Sequence, residues 1–280
     1  MKTRQLLIVG DARDAMKKVA GHAVQLVVTS PPYWNIKDYK HPCQIGLNQS
    51  YSDYVRALRM VWSECKRTLS PGCKMVINVG DQFLRARDNH GRYEIKPIHT
   101  DIIKCCTDLG FIFLGNIIWQ KITTTKTTGG GSWMGSTYFP RDGYVTYEHE
   151  YIMIFKKPGK APIPTLPMKA RSKLPKEFRS RWFRGIWADI PPARQRAHVA
   201  MFPLELPERL IRMFSFAGET VLDPFVGSGT TMEAAQKWGR SSIGIELNPN
   251  YVPLIRERVA DLCSGSNVIQ THELKQRRAS

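Results

Sequence analysis

The stretch Thr220–Glu246 narrows the folds open to this chain more than any other. A short apolar run, Thr220–Asp223, ends in an acid and meets a glycine-rich turn, Pro224-Phe225-Val226-Gly227-Ser228-Gly229. A helical segment follows from Thr230 to Trp238, and a second apolar run, Ser242–Glu246, again ends in an acid. Strand, helix and strand of these lengths make a β-α-β unit. The alternation continues elsewhere. Gln5–Val9 reads as a buried strand, Ala12–Ala20 as a helix capped by Asp11, and Gln25–Thr29 as a strand stopped by Pro31 and Pro32. Ser50 can cap a helix reaching Leu69, with Tyr54, Leu58, Val61, Trp62, Cys65 and Leu69 at helical spacing and Pro71-Gly72 ending it. Strands are expected at Lys74–Val79, Phe111–Trp119 and Tyr147–Phe155, and helices from Pro97 to Gly110, over Leu204–Phe216 and from Pro249 to Leu262. The polar tail from Ser264 to Ser280 reads as frayed. The sum is an α/β fold, a doubly wound sheet with helices on both faces.

Two stretches break the pattern. Gln120–Thr146 is rich in Thr and Gly and too long for an ordinary connection. Lys156–Arg196 carries 12 lysines and arginines against 2 acids, a net of +10 within a chain of 280 residues whose total is +17. That charge points to a polyanionic partner, usually nucleic acid. Arg171, Lys173, Lys176, Arg179, Arg181 and Arg184 recur with Phe178, Trp182 and Phe183 between them, and are the candidate DNA contacts. The Gly129-Gly130-Gly131 loop is a second candidate. No apolar run approaches the length of a membrane span, so no membrane partner is expected. Met1–Gly10 has too few apolar residues for a signal peptide, which favours a reducing, cytoplasmic compartment. The six cysteines form no Cys-x-x-Cys, so free thiols and no metal site are expected.

The glycine turn lets backbone N–H groups approach a ligand closely. No lysine follows the glycines, so it is not a P-loop, and the full Gly-x-Gly-x-x-Gly is absent. Glu246, about 20 residues on, is placed to accept hydrogen bonds from ribose hydroxyls. Together these features point to a nucleoside-type ligand. Ser30-Pro31-Pro32-Tyr33-Trp34 follows the second strand, at the end where open α/β sheets bind ligands. Its hydroxyl and prolyl carbonyls can accept hydrogen bonds from an amine, and Tyr33 offers a flat face to a base.

These two motifs, in this order, resemble the β class of amino-methylating DNA methyltransferases. There the catalytic motif precedes the cofactor glycines, a permuted order. The likeness extends over Gly10-Asp11, Thr29–Trp34, Gly115–Trp119, His149–Phe155, Gly185–Trp187, His198–Pro207, Asp223–Thr231 and Glu246–Asn248. It implies a Rossmann-like methyltransferase sheet and S-adenosylmethionine as cofactor. Asp11, Asp223, Pro224, Phe225, Gly227, Ser228, Gly229, Thr230, Glu246 and Asn248 are the expected cofactor contacts, with Asp11 on the adenine side. Ser30, Pro31, Pro32 and Tyr33 are the expected catalytic residues. Residues 1–155 form the catalytic half, 156–196 the basic recognition region, 197–263 the cofactor half and 264–280 the tail. The resemblance also implies duplex DNA as partner, a monomer or homodimer, and in many relatives a companion restriction endonuclease.

Serine at the head of the motif is commoner in cytosine-N4 enzymes, Asp or Asn in adenine-N6 enzymes, so Ser30 favours cytosine over adenine. A non-catalytic nucleic-acid-binding module would not need both motifs. Pro42-Cys43-Gln44 matches the tripeptide of ring-carbon cytosine methyltransferases, whose cysteine attacks the base. It follows polar residues rather than a buried strand, and no Glu-Asn-Val occurs, so Cys43 reads as a loop thiol.

Overall fold

The computed structural model describes residues 3–35, 37–84, 86, 89–121, 148–192, 203–259 and the backbone of 268–270. In chain order, β1 (Gln5–Val9) leads to α1 (Ala12–Ala15) and a 3-10 turn, Met16–Lys18. There follow β2 (Val24–Thr29), α2 (Tyr51–Thr68), β3 (Leu69–Val79), the short pair β4 (Gln82–Leu84) and β5 (Glu94–Lys96), and α3 (Ile98–Asp108). Then come β6 (Ile112–Gln120), β7 (His149–Lys156), α4 (Leu166–Ser172), α5 (Lys176–Trp182) and β8 (Ile186–Trp187). The last part holds α6 (Glu205–Phe214), β9 (Thr220–Asp223), α7 (Thr230–Lys237), β10 (Ser241–Glu246), α8 (Val252–Arg258) and β11 (Val268–Gln270).

Nine strands form one sheet in the order β11-β1-β10-β9-β2-β3-β7-β6-β8. Every neighbouring pair is parallel except those of β7, which runs antiparallel to β3 and β6. Alternate side chains of one strand point to opposite faces. Val27, Met75 and Ile77 therefore join Trp62 and Cys65 of α2 and Ile98 of α3. Leu26, Val28 and Val76 join Leu206, Leu210 and Ile211 of α6 and Ala234 and Ala235 of α7. The sheet is doubly wound, as the alternation in the sequence predicts. It also explains how a permuted chain closes: β9 and β10 insert between β1 and β2, so the C-terminal third completes the centre of the sheet.

The structure corrects four boundaries. The first α-helix stops at Ala15 and the last at Arg258. β3 begins at Leu69, not Lys74, because Pro71-Gly72 continues the strand. Gly72 takes φ 75°, its N–H donates to the Lys157 carbonyl at 2.9 Å, and a Cβ there would meet the Ala161 nitrogen at 2.3 Å. Finally, the tail is not wholly frayed: Val268–Gln270 pairs in parallel with Leu7–Val9 as an edge strand.

The described part of the basic stretch, Lys156–Pro192, is docked on the sheet rather than free. Trp182, Trp187 and Ile190 are buried with Ile117, Trp119 and α6. Trp119 Nε1 donates to the Ile190 carbonyl and Trp187 Nε1 to the Trp182 carbonyl, both at 2.9 Å. Arg209 of α6, 1% exposed, lies within 6 Å of both indole rings of Trp182 and Trp187. Its guanidinium donates to Asp189 through Nη1 at 2.9 Å and Nη2 at 3.0 Å, and through Nε to Glu205 at 3.0 Å. A buried guanidinium is tolerated only when its donors are satisfied in this way. Replacing Trp182 by Ala should cost about 3–5 kcal/mol of stability, read by chemical denaturation. A cost below about 1 kcal/mol would show that the stretch is not held by its core.

Candidate active site

The carboxyl ends of β1, β2, β3, β6, β9 and β10 lie along one edge of the sheet, where β7 begins. Ligands of open α/β sheets bind at this edge. β2 and β9 are neighbours, with Leu26 opposite Val221 and Val27 opposite Leu222. That register brings the end of the Ser30 strand beside Asp223.

Asp223 joins the two. Its Oδ1 accepts from Thr29 Oγ1 at 2.6 Å and from the Phe225 N–H at 3.0 Å. Its Oδ2 accepts from Thr231 Oγ1 at 2.6 Å. The residue is buried, and burial pushes its carboxyl up to about 6 despite those three donors. Asp223, expected among the cofactor contacts, thus spends its carboxylate on the protein. It ties the residue before Ser30 to the glycine turn and to α7. Pro224, Ser228 and Thr230 are buried behind the turn, with Ser228 Oγ 3.3 Å from Thr230 Oγ1. The Phe225 ring packs edge-on to Trp62 of α2 at 6.1 Å. Gly229 caps α7 at φ 89°, a left-handed conformation that favours glycine.

Glu246 faces the same turn. Its Oε2 accepts from the Gly227 N–H at 2.9 Å and its Oε1 from the Asn248 N–H at 2.8 Å. Each carboxylate oxygen keeps acceptor capacity beyond that one bond. Burial raises the carboxyl to about 7, against the pull of those N–H groups. An acid with spare lone pairs, set over a glycine turn at a helix start, fits the ribose of a nucleoside cofactor. Asn248 bonds within the protein: Oδ1 accepts from the Asn250 N–H at 3.0 Å and Nδ2 donates to the Tyr39 carbonyl at 3.1 Å. Asp11 caps α1 and turns its carboxylate onto Arg13, which donates to it from the backbone at 2.9 Å and from the guanidinium. Its neighbour Gly10 donates to the Glu246 carbonyl at 2.8 Å, so the expected adenine side does border the acid.

The loop of the expected catalytic residues is pinned on several sides. Pro31 is buried, and the Pro32 carbonyl accepts from Tyr54 Oη at 3.0 Å. Trp34 donates from Nε1 to the Gln49 carbonyl at 2.8 Å and packs edge-on to Tyr51, so it faces the fold. Among the described residues the Ser30 hydroxyl and the Pro31 carbonyl have no hydrogen-bond partner. Tyr33 Oη donates to Glu150 Oε1 at 2.9 Å, and burial with that carboxylate raises the phenol well above its ordinary value.

The six expected DNA contacts are not gathered at this edge. Ser172 Oγ accepts from the Ala217 N–H at 2.7 Å, in the turn that enters β9 at its amino end. Arg171 and Lys173 flank Ser172 and lie on the far side from Ser30. The chain then climbs through α5 to β8, where the Gly185 carbonyl accepts from the Ile118 N–H at 2.9 Å. Arg184 precedes that point. Arg181 is ion-paired with Asp189. Lys173, Lys176, Arg179 and Arg184 are exposed and make no ion pair among the described residues. The glycine loop at 129–131 and the stretch 193–202 lie outside the described residues.

A DNA methylase family model matches residues 24–257. The chain belongs to the DNA methylase family. Type II methyltransferase M.MjaI of Methanocaldococcus jannaschii is 36% identical over 92% of this chain and 91% of its own length. A chain from Thermus thermophilus, described as a DNA modification methylase and solved in complex with S-adenosyl-L-methionine, is 42% identical. It superposes with a TM-score of 0.76 over 95% of this chain and 99% of its own. PvuII DNA methyltransferase, described as cytosine-N4-specific, shares the fold at 20% identity and a TM-score of 0.65, covering 91% of this chain and 87% of its own.

For a methylase, sequence reasoning missed three residues beside the motif. Glu150, Asn78 and Lys121 come together at Tyr33 although they are far apart in the chain. Period-2 patterning marks a strand but not which polar residue at its end turns inward. Pro42-Cys43-Gln44 is a loop: Gln44 accepts from the Tyr39 N–H at 2.7 Å and donates to the Lys37 carbonyl at 2.9 Å, leaving Cys43 exposed.

Ribose hydroxyls bind an ionised carboxylate better than a neutral one. With Glu246 at about 7, S-adenosylmethionine should bind most tightly above that pH and lose affinity as the pH falls through it, levelling off about tenfold weaker where the carboxyl is neutral. Glu246→Gln should bind more weakly and flatten the profile between pH 5 and 8, as read by calorimetry. A wild-type profile without slope there would remove Glu246 from the ribose.

Proposed function

We propose that this DNA methylase transfers a methyl group from S-adenosylmethionine to the exocyclic N4 amine of cytosine in duplex DNA, at a specific site. The base assignment rests on the residue type at position 30, a serine, as in most cytosine-N4 enzymes of the class the motifs resemble; its hydroxyl has no partner among the described residues and stands at the carboxyl end of β2, next to the Thr29–Asp223 bond. When bound, S-adenosylmethionine would supply a sulfonium methyl, an electrophile that needs no covalent enzyme intermediate: the N–C bond would form as the S–C bond breaks, the neutral thioether would be the leaving group, and the methylated amine would release one proton to solvent. The protein's part is orientation. The exocyclic amine is a poor nucleophile because its lone pair is delocalised into the ring. Hydrogen bonds from that amine to Ser30 Oγ and the Pro31 carbonyl favour a pyramidal nitrogen and aim its lone pair. The duplex hides the amine, so the base must leave the stack, and Tyr33 is its platform.

Cofactor contact falls to Glu246, the backbone of Gly227 and Gly229, and the Gly10-Asp11 turn. Asp223, Pro224, Phe225, Ser228, Thr230 and Asn248 hold that surface in place. For DNA we assign phosphate contacts to Lys176, Arg179 and Arg184, exposed cations without an ion-pair partner among the described residues. Arg181 contributes chiefly to the docking of the stretch, and Arg171 and Lys173 extend the basic surface away from the catalytic edge. We read the protein as the modification member of a restriction-modification system, as the Type II description of M.MjaI supports.

Nucleoside digestion and mass spectrometry of methylated plasmid tests the base. N4-methylcytosine is expected, and N6-methyladenine alone would overturn the assignment. Ser30→Ala should lower the single-turnover rate by about 10²-fold or more with cofactor affinity unchanged. A full rate in that variant would contradict the role given to its hydroxyl.

A further inference from the structure

Glu150 is a charged residue that the transfer chemistry above does not use, yet it sits against the catalytic motif. It lies at the start of β7 and is 6% exposed. Its Oε2 accepts from Asn78 Nδ2 at the end of β3, at 2.7 Å. Its Oε1 accepts from Tyr33 Oη at 2.9 Å and is ion-paired with Lys121, just past β6. One carboxylate therefore connects the ends of two strands and the start of a third to the loop after β2. Burial works to neutralise it, but Lys121 and the hydrogen bonds outweigh burial and hold the carboxyl below its ordinary value. It is thus an ionised acceptor at neutral pH, and bonds to such acceptors are the strong ones.

The surroundings are shaped to keep the group there. A methyl at Gly80 would meet Glu150 Cγ at 3.2 Å, so the absent side chain leaves room for the glutamate. A buried ion pair is a poor stabiliser of a fold, because desolvation offsets its attraction. What this one does is fix an orientation. The Tyr33 ring is anchored at its backbone by the Pro31-Pro32 turn and at its hydroxyl by Glu150. A ring held at both ends has lost its rotamer freedom before any base arrives.

We propose that Glu150 is a positioning residue for methyl transfer, acting through Tyr33: it locks the tyrosine ring as the platform for the extruded base and keeps Lys121 at the mouth of the site. The proposal rests on the reading of Tyr33 as that platform. Asn78 makes the arrangement tolerant of one change. Among the described residues its Oδ1 is buried without a partner. A glutamine at position 150 can still accept from Tyr33 and can donate to that oxygen if the Asn78 amide turns over. Only the charge pairing with Lys121 is then lost.

The test uses the full chain with plasmid substrate and a duplex carrying 2-aminopurine at the target base. Wild-type methylation comes first, since its absence would sink the functional reading and not this inference. With an active wild type, Glu150→Ala should slow single-turnover transfer by about tenfold or more while cofactor affinity changes less than about twofold. It should also raise 2-aminopurine fluorescence, because the extruded base loses its stack. Tyr33→Phe should move both readouts in the same direction, and the double variant should be no worse than Glu150→Ala alone. Glu150→Gln should recover most of the rate. A Glu150→Ala rate within about twofold of wild type, or losses that multiply in the double variant, would overturn the proposal. Should Glu150→Ala fail to fold, Tyr33→Phe decides: a wild-type rate and unchanged fluorescence would overturn it equally.

Discussion

The Asp223 carboxylate holds the end of β2, before Ser30, and the glycine turn before α7 in one frame. It is buried, and its oxygens accept hydrogen bonds from the hydroxyls of Thr29 on β2 and Thr231 on α7 and from the N–H of Phe225 in the turn. The residues it unites are 194 apart on one side and 8 on the other. A methyl can be transferred only if amine and sulfonium meet in a narrow range of angles. In the function proposed above, segments far apart in the sequence hold the two, and the link between them must then be rigid. The raised carboxyl of Asp223 records the cost of burying that link.

Around this link the sheet follows from simple rules. Parallel strands need cover on both faces, and the period-2 pattern of β2 and β3 distributes their apolar side chains to two separate clusters. The carboxyl ends of the parallel strands then share an edge, and the polar residues that end them become the site. β7 is the exception that adds to it. Because it runs antiparallel, its first residues, not its last, reach that edge, and Glu150 is among them.

That geometry explains what could be read from the chain. The glycine turn, the strand-end acids and Ser30-Pro31-Pro32-Tyr33 were legible because each is local: strand, turn and helix start lie within a dozen residues. The roles within them were less so. The resemblance makes Asp223 and Asn248 cofactor contacts, and the hydrogen bonds they make within the protein, set by tertiary packing, could not be read from the chain. Glu150, Asn78 and Lys121 were invisible for the same reason, since nothing in their local sequence marks three strand ends as neighbours. The basic stretch was legible as charge but not as position. Its tryptophans are spent on the core around Arg209, and its path begins beneath the amino ends of the strands before rising to β8.

The most direct test of the central link removes one hydroxyl and nothing else. In Thr29→Val the side-chain volume is nearly kept, while buried Asp223 loses a donor. Single-turnover methyl transfer at saturating S-adenosylmethionine is the quantity to measure. A loss of about tenfold or more is expected, with weaker cofactor binding in the same variant. A folded Thr29→Val protein with the wild-type rate and wild-type cofactor affinity would contradict it.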